Sequence, residues 1–247
     1  MDPGEKIEYL RKYITLLDRG VCAFNEKIHQ PIFDPAMGGR FRYKEPKPVT
    51  FLVLKMARMV TALYATLTLT KDGLFEDAGA ICRIIIECRH DVDFVMDGLI
   101  KDPFPADKQE VVDNFFNEEI QTTKEMLGTM KKPPTIPRKK IYPAVGRLLS
   151  PGNPDRPQRI AKVLEETFSG YVHASYPHIM EMYEGTRKEF RMSGVQMRIP
   201  IFIKQVALNI HASLNQFAIL AKALDLTDLK LQLLASVKEL ENSEVYK

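Results

Sequence analysis

The sequence predicts an all-α, single-domain bundle of seven or eight helices over residues 1–247. Three observations carry that expectation. Apolar residues recur at three- and four-residue steps along most of the chain, which is the spacing of one helix face. No stretch alternates in the manner of a strand, and no internal repeat is present. The composition is 45% hydrophobic and 27% charged, with 35 Lys and Arg against 32 Asp and Glu, ordinary for a globular chain. It excludes a disordered chain, a collagen-like fibre and a disulfide-stapled mini-protein. A net charge of +3 also excludes a strongly basic nucleic-acid coat as a whole-chain property.

The first helix is expected from Gly4 to His29, on the face made by Ile7, Leu10, Tyr13, Ile14, Leu17, Val21 and Phe24. Pro31, Pro35, Gly38, Gly39, Pro46 and Pro48 mark residues 31–49 as a loop. A second helix follows from Thr50 to Leu69, then a turn at Asp72-Gly73. A third runs from Leu74 to Ile100, closed by Pro103 and Pro105. The fourth is expected from Asp107 to Met130, with Asp107 and Glu110 in capping-box order. Residues 131–157 hold seven of the sixteen prolines together with Lys131, Lys132, Arg138, Lys139 and Lys140, and read as a long basic loop with one short helix near residues 143–149. Helices resume at residues 157–174, 177–191, 199–224 and 227–240, the last with Thr227 as its cap.

The three cysteines, Cys22, Cys82 and Cys88, are odd in number and lack metal spacing, so they read as reduced, buried, small hydrophobes of a cytoplasmic protein. The N-terminus starts acidic without an apolar core, so no secretory signal is expected. Residues 51–69 are long enough to span a bilayer but carry Lys55 and Arg58; a buried core helix is expected there, and no membrane partner.

The third helix places Arg83, Glu87 and His90 on one face, at i, i+4 and i+7, within an otherwise apolar run. Two readings stand. One is a structural Arg83–Glu87 pair tying neighbouring helices, because an isolated buried charge is too costly. The other is a cleft in which Arg83 binds an anion and His90 or Glu87 moves a proton. A second constellation, Ser169, Tyr171, His173 and Ser175, sits where Pro177 breaks a helix. It reads either as a histidine favoured by a helix C-terminus or as a group facing Arg83 and Glu87 across the bundle.

The pair Ala80-x-x-Arg83-x-x-x-Glu87 and Ser169-x-Tyr171-Val172-His173-Ala174-Ser175 resembles a family of uncharacterised bacterial all-helical proteins, over roughly residues 50–220. The resemblance implies a helical fold and a cluster of Arg83, Glu87 and His173. That family is similar in turn to the HEPN domains, several of which are metal-independent ribonucleases of toxin and phage-defence systems. Their signature is an arginine, four to six residues, then a histidine, which Arg83 and His90 fit. The resemblance implies a histidine acting as base towards a ribose 2′-OH while Arg83 holds the scissile phosphate, with no cofactor.

Glu26-x-x-His29 and Glu87-x-x-His90 match the spacing of di-iron bundles, yet the helix between them carries no acid. Phosphate loops and a nucleophile elbow are absent. Lys139 and Lys140, beside Tyr142, either follow a phosphate backbone or belong to a solvated loop. The leading expectation is an RNA-directed activity in a stress or phage-defence setting. The alternatives are a helical module that forms a homodimer or binds a partner protein, and a carboxylate and histidine metal enzyme.

Overall fold

The computed structural model describes residues 1–35, 40–99, 101, 103–116, 137–150, 152–192 and 194–246. Among them the helical spacing becomes nine α-helices, so the chain is an all-α bundle. These are α1 (Pro3–Asn25), α2 (Pro48–Asp72), α3 (Phe75–Leu99), α4 (Ala106–Phe116), α5 (Arg138–Leu149), α6 (Asp155–Val172), α7 (Tyr176–Ile179), α8 (Ile199–Ala223) and α9 (Thr227–Glu241).

α1 starts one residue earlier than its apolar face requires because Asp2 caps it. The Asp2 carboxylate accepts from the Glu5 N–H at 2.8 Å, and the Glu5 carboxylate accepts from the Asp2 N–H at 2.8 Å. α2 ends at Gly73, which takes φ +77°, a left-handed turn that a side chain would strain. α2 is long and apolar enough to cross a membrane by length and composition alone. In the fold it packs against α1, α3 and α8 and buries Phe51, Leu52, Met56, Met59, Leu63 and Leu67. Lys55 of α2 reaches Asp91 of α3 at 2.9 Å, so this cation is paired at a helix–helix contact.

α1, α2, α3, α8 and α9 supply most of one continuous core, to which α4, α5 and α6 add Val112, Ile141, Ala144, Val145 and Ala161. α5 and α6 pack on α3 and on each other, as a lateral pair beside that core. A small separate cluster of Cys82, Ile86 and Phe168 fastens α6 to α3. Gly79 of α3 lies under the Tyr171 ring of α6, so close that a Cβ there would overlap it.

Several expectations change. Two short antiparallel hairpins exist where no strand was expected: β1 (Ile32–Asp34) with β2 (Arg40–Arg42), and β3 (Tyr183–Glu184) with β4 (Glu189–Phe190). Strands of two or three residues are too short to show an alternating pattern. The helix expected over 177–191 therefore stops at Ile179 and passes through one 3-10 turn, Met180–Met182, into the second hairpin. The basic stretch is not a loop throughout: α5 starts at Arg138 and tolerates Pro143 because Ile141, Ala144 and Val145 bury against the core. Of the fourth helix the described part ends at Phe116, and residues 117–136, with Lys131 and Lys132, lie outside the described residues. Asp107 sits inside the first turn of α4, whose leading N–H groups bond to the Pro105 carbonyl. Thr227 is likewise already helical, after a left-handed Asp225 closes α8. Cys22 is exposed, whereas Cys82 and Cys88 are buried and burial pushes their thiols up to about 12 and about 11.

Candidate functional site: the junction of α3, α5 and α6

The buried stripe of α6 runs through Ala161, Glu165 and Phe168, at steps of four and three. A glutamate therefore points at the interface, and it meets Arg83 of α3. The Arg83 Nη2 group lies 2.9 Å from Glu165 Oε1 and 2.8 Å from Glu87 Oε1, and Nη1 donates to the Glu165 carbonyl at 3.0 Å. Tyr142 of α5 donates its hydroxyl to Glu165 Oε2 at 3.0 Å. His90 Nδ1 lies 3.4 Å from the same oxygen, with its ring edge-on to Tyr142. Glu165 thus joins three helices through one carboxylate. Arg83 is 14% exposed, and two carboxylates neutralise its charge. Removing a partner from such a buried pair costs about 3–5 kcal/mol. Arg83, Glu87 and His90 do come together, as their spacing implies, and the group that organises them is Glu165.

The next turn of α3 opens on a cavity of about 370 Å³ between α3, α5 and α6. Its walls are mostly aliphatic: Ile86, Val145, Pro157, Ile160, Ala161 and Leu164. Its polar groups are Arg89, His90 and Asp93 of α3, with Ser150 and Asn153 from the α5–α6 connection and Arg156 from the first turn of α6. Asp93 is 1% exposed and accepts from Gln216 Nε2 at 2.5 Å. Burial pushes its carboxyl up to about 6, against the opposing pull of the Gln216 hydrogen bond and of Arg89. Arg89 is half-buried, and its Nε is buried without a hydrogen-bond partner. Burial holds its guanidinium below the usual arginine range despite the charge of Asp93. No ion pair among the described residues engages it. Arg156 is exposed at the mouth. The cavity is therefore lined by an arginine whose buried Nε is unsatisfied, a second arginine that is exposed, and a histidine and a carboxyl beside them.

The remaining expected residues fall elsewhere. His173 is exposed and caps the end of α6, its N–H bonding to the Ser169 carbonyl at 3.1 Å. It stands eight residues beyond Glu165, about 12 Å along the helix axis, and does not join Arg83. Ala174 is left-handed at φ +47°, and the Ser175 N–H reaches back to the Gly170 carbonyl at 2.9 Å. The Ser-x-x-x-His-x-Ser run is thus the signature of a helix stop. Tyr171 donates to Glu181 at 3.0 Å, and Ser175 Oγ lies 2.6 Å from His178 Nδ1. Lys140 is exposed on α5, and the Lys139 side chain lies outside the described residues. Glu87 and His90 do not converge with Glu26 and His29: among the described residues no three His, Cys, Asp or Glu side chains group to hold a metal ion.

A second ionic cluster lies further along α3. Asp97 is met by Lys108 at 3.0 Å, Arg147 at 2.9 Å and Lys101 at 3.2 Å. Burial alone would raise Asp97, but the Arg147 and Lys108 hydrogen bonds prevail and hold it well below the usual carboxylate range.

The sequence spacing does not bring Glu165, Tyr142, Arg89, Asp93 or Arg156 to this site, although Tyr142 is named beside Lys139 and Lys140. The signal for three of them was present. Glu165 interrupts an apolar stripe, and Arg89 and Asp93 sit four apart, on one face of a helix. Comparison with protein-family models, with curated proteins and with solved structures gave no match to this chain.

Proposed function

We propose that the chain binds a small organic anion with an aliphatic body in the α3–α5–α6 cavity. The observation that carries this is Arg89, which lines the cavity, has a buried Nε without a hydrogen-bond partner and is engaged by no ion pair among the described residues. A buried polar group without a partner is costly, and an anion would supply it. The volume lies in the range of small-molecule sites, which combine apolar walls with a few placed polar groups. Among the described residues the walls carry no Phe, Tyr or Trp ring of the kind on which nucleic-acid bases stack. Arg83 is not the anion partner in this reading, because Glu87 and Glu165 already neutralise it.

The test is calorimetric titration with acetate and with hexanoate. The expected result is saturable binding, at least tenfold tighter for hexanoate, and a loss of tenfold or more in Arg89→Gln and in Arg156→Gln. Absence of saturable binding, or unchanged binding in the double variant, would overturn the reading.

A second reading, metal-independent cleavage of RNA, is favoured by one observation: Arg89 and His90 line the same cavity. Arg89 would then hold the phosphate, His90 would take the 2′-OH proton, and Arg83 would fix the helices behind them. Cleavage of a cellular RNA pool in the presence of chelator separates the two readings. Loss of cutting in Arg89→Ala and His90→Ala, with His173→Ala unaffected, supports catalysis. No cutting by the wild type leaves the binding reading.

A further inference from the structure

The first turn of α2 is built without a cap. Lys47 precedes it with no side-chain hydrogen bond to the helix, Pro48 opens it, and its first turn carries no acid. The Val49 and Thr50 N–H groups therefore point out of the helix with no backbone acceptor among the described residues. Around this end lies a cavity of about 650 Å³, continuous in its lining with a smaller one of about 280 Å³ through His29, Lys47 and Thr50.

Four cationic or cationisable side chains line the larger cavity: Lys27, His29, Lys47 and Lys101. Among the described residues no carboxylate lines it. Glu45 lines only the smaller cavity, and Lys47 engages it at 2.7 Å. Lys101 reaches Asp97, but Lys108 and Arg147 hold the same carboxylate, so three cations meet one anion there. Lys101 is the most loosely bound of them on distance, is largely exposed, and is free to turn to a ligand without leaving Asp97 bare.

An independent observation points the same way. Thr50 is only 3% exposed and lines both cavities, yet its hydroxyl has no hydrogen-bond partner among the described residues. An unpartnered hydroxyl on a nearly buried residue that lines both cavities, beside two free N–H groups, is an unfilled set of anion contacts. The lining also includes the apolar Ile28, Val49, Leu99, Phe104 and Leu224.

We propose that this cavity is a second binding site, for a phosphomonoester carried on an apolar body. The phosphate sits at the α2 N-terminus, accepting from the Val49 and Thr50 N–H groups and the Thr50 hydroxyl, within reach of Lys27 and Lys101. The helix dipole and the free donors favour a doubly charged oxyanion there. The apolar body lies against Phe104 and Leu224. The site shares no lining residue with the α3–α5–α6 cavity, so it stands whether or not the proposed function holds.

The test is titration of the full chain with phenyl phosphate, inorganic phosphate and phenol. Phenyl phosphate is expected to bind at least tenfold more tightly than either fragment. Thr50→Val, which keeps shape and removes the hydroxyl, is expected to weaken it about fivefold. The Lys27→Gln, Lys101→Gln pair should weaken it tenfold or more, and Arg89→Gln should leave it unchanged. Sedimentation with phosphatidate vesicles, abolished by the same lysine pair, would give the source as a lipid headgroup; phenyl phosphate binding without it would give a soluble ester. No phenyl phosphate binding, binding equal to that of phenol, or binding removed by Arg89→Gln but not by the lysine pair would overturn the site.

Discussion

At the scale of single residues, the junction holds two kinds of buried charge. Arg83 and Glu165 are a satisfied pair, with donors and acceptors matched across α3, α5 and α6. Arg89 and Asp93, one turn on, are not. Gln216 supplies Asp93 with one hydrogen bond, while the Arg89 Nε has none. The consequence is a pH dependence of known sign. The ordinary pKa of Asp93 is 3.8 and its folded value is about 6, so the folded state binds the extra proton between those limits. Stability is then greatest below about pH 4 and falls as pH rises to about 6, after which it is level. Asp97 titrates in the opposite sense, and its contribution is lost only at lower pH, since its folded pKa lies below the ordinary one. Glu76 is also raised by burial and adds the same sign as Asp93, so the difference between wild type and Asp93→Asn isolates Asp93. From pH 4 to pH 7 the wild type should lose about 2–3 kcal/mol relative to Asp93→Asn, because each tenfold change in proton affinity on folding is worth about 1.4 kcal/mol. Urea denaturation at the two pH values checks it, and a constant difference would refute it.

At the scale of elements, the long helices were legible and the short connections were not. α1, α2, α3, α8 and α9 follow from apolar spacing to within a few residues, because each buries a broad face on a shared core. α5 was half-hidden by Pro137 and Pro143, and the hairpins had too few residues to show a period. The end of α6 shows how a motif is misread. His173 and Ser175 stand in a helix terminus whose left-handed position is filled by Ala174 rather than glycine. A left-handed alanine costs about 1 kcal/mol, since its Cβ crowds the next carbonyl. Ala174→Gly should therefore raise stability by about 0.5–1 kcal/mol, read as an increase in denaturation midpoint without change in slope. A fall in midpoint would mean that the α6 terminus is held by the alanine methyl group. As for the site, Arg83, Glu87 and His90 were legible because one helix carries them. Glu165 lies 82 residues from Arg83, and no spacing rule reports a contact across that separation.

At the scale of the molecule, the bundle is unequal in its parts. The core shared by α1, α2, α3, α8 and α9 closes on itself, with α9 burying Leu233, Val237 and Leu240 and the N-terminal amine meeting Glu244 at 3.2 Å. α5 adds Ile141, Ala144 and Val145 at its edge, and α6 adds only Ala161. α6 buries only Ala161, Glu165 and Phe168, whereas α8 buries fourteen residues, among them Phe202, Ile210, Leu214 and Phe217. α6 is therefore held by Ala161, by the three-residue cluster of Cys82, Ile86 and Phe168 and by the Glu165 junction, with a cavity of about 370 Å³ beside it. Local opening needs far less burial to be undone than global unfolding does, so the two should separate in hydrogen exchange. Amides in the middle of α6 should exchange at least tenfold faster than those in the middle of α2 and α8. Hexanoate should slow α6 and leave α8 unchanged, because a ligand bound to the closed lateral pair stabilises only the states in which that pair is docked. Equal protection in all three helices would mean that α5 and α6 unfold only with the whole bundle, and the cavity would then be a fixed pocket rather than a seam that opens to admit its anion.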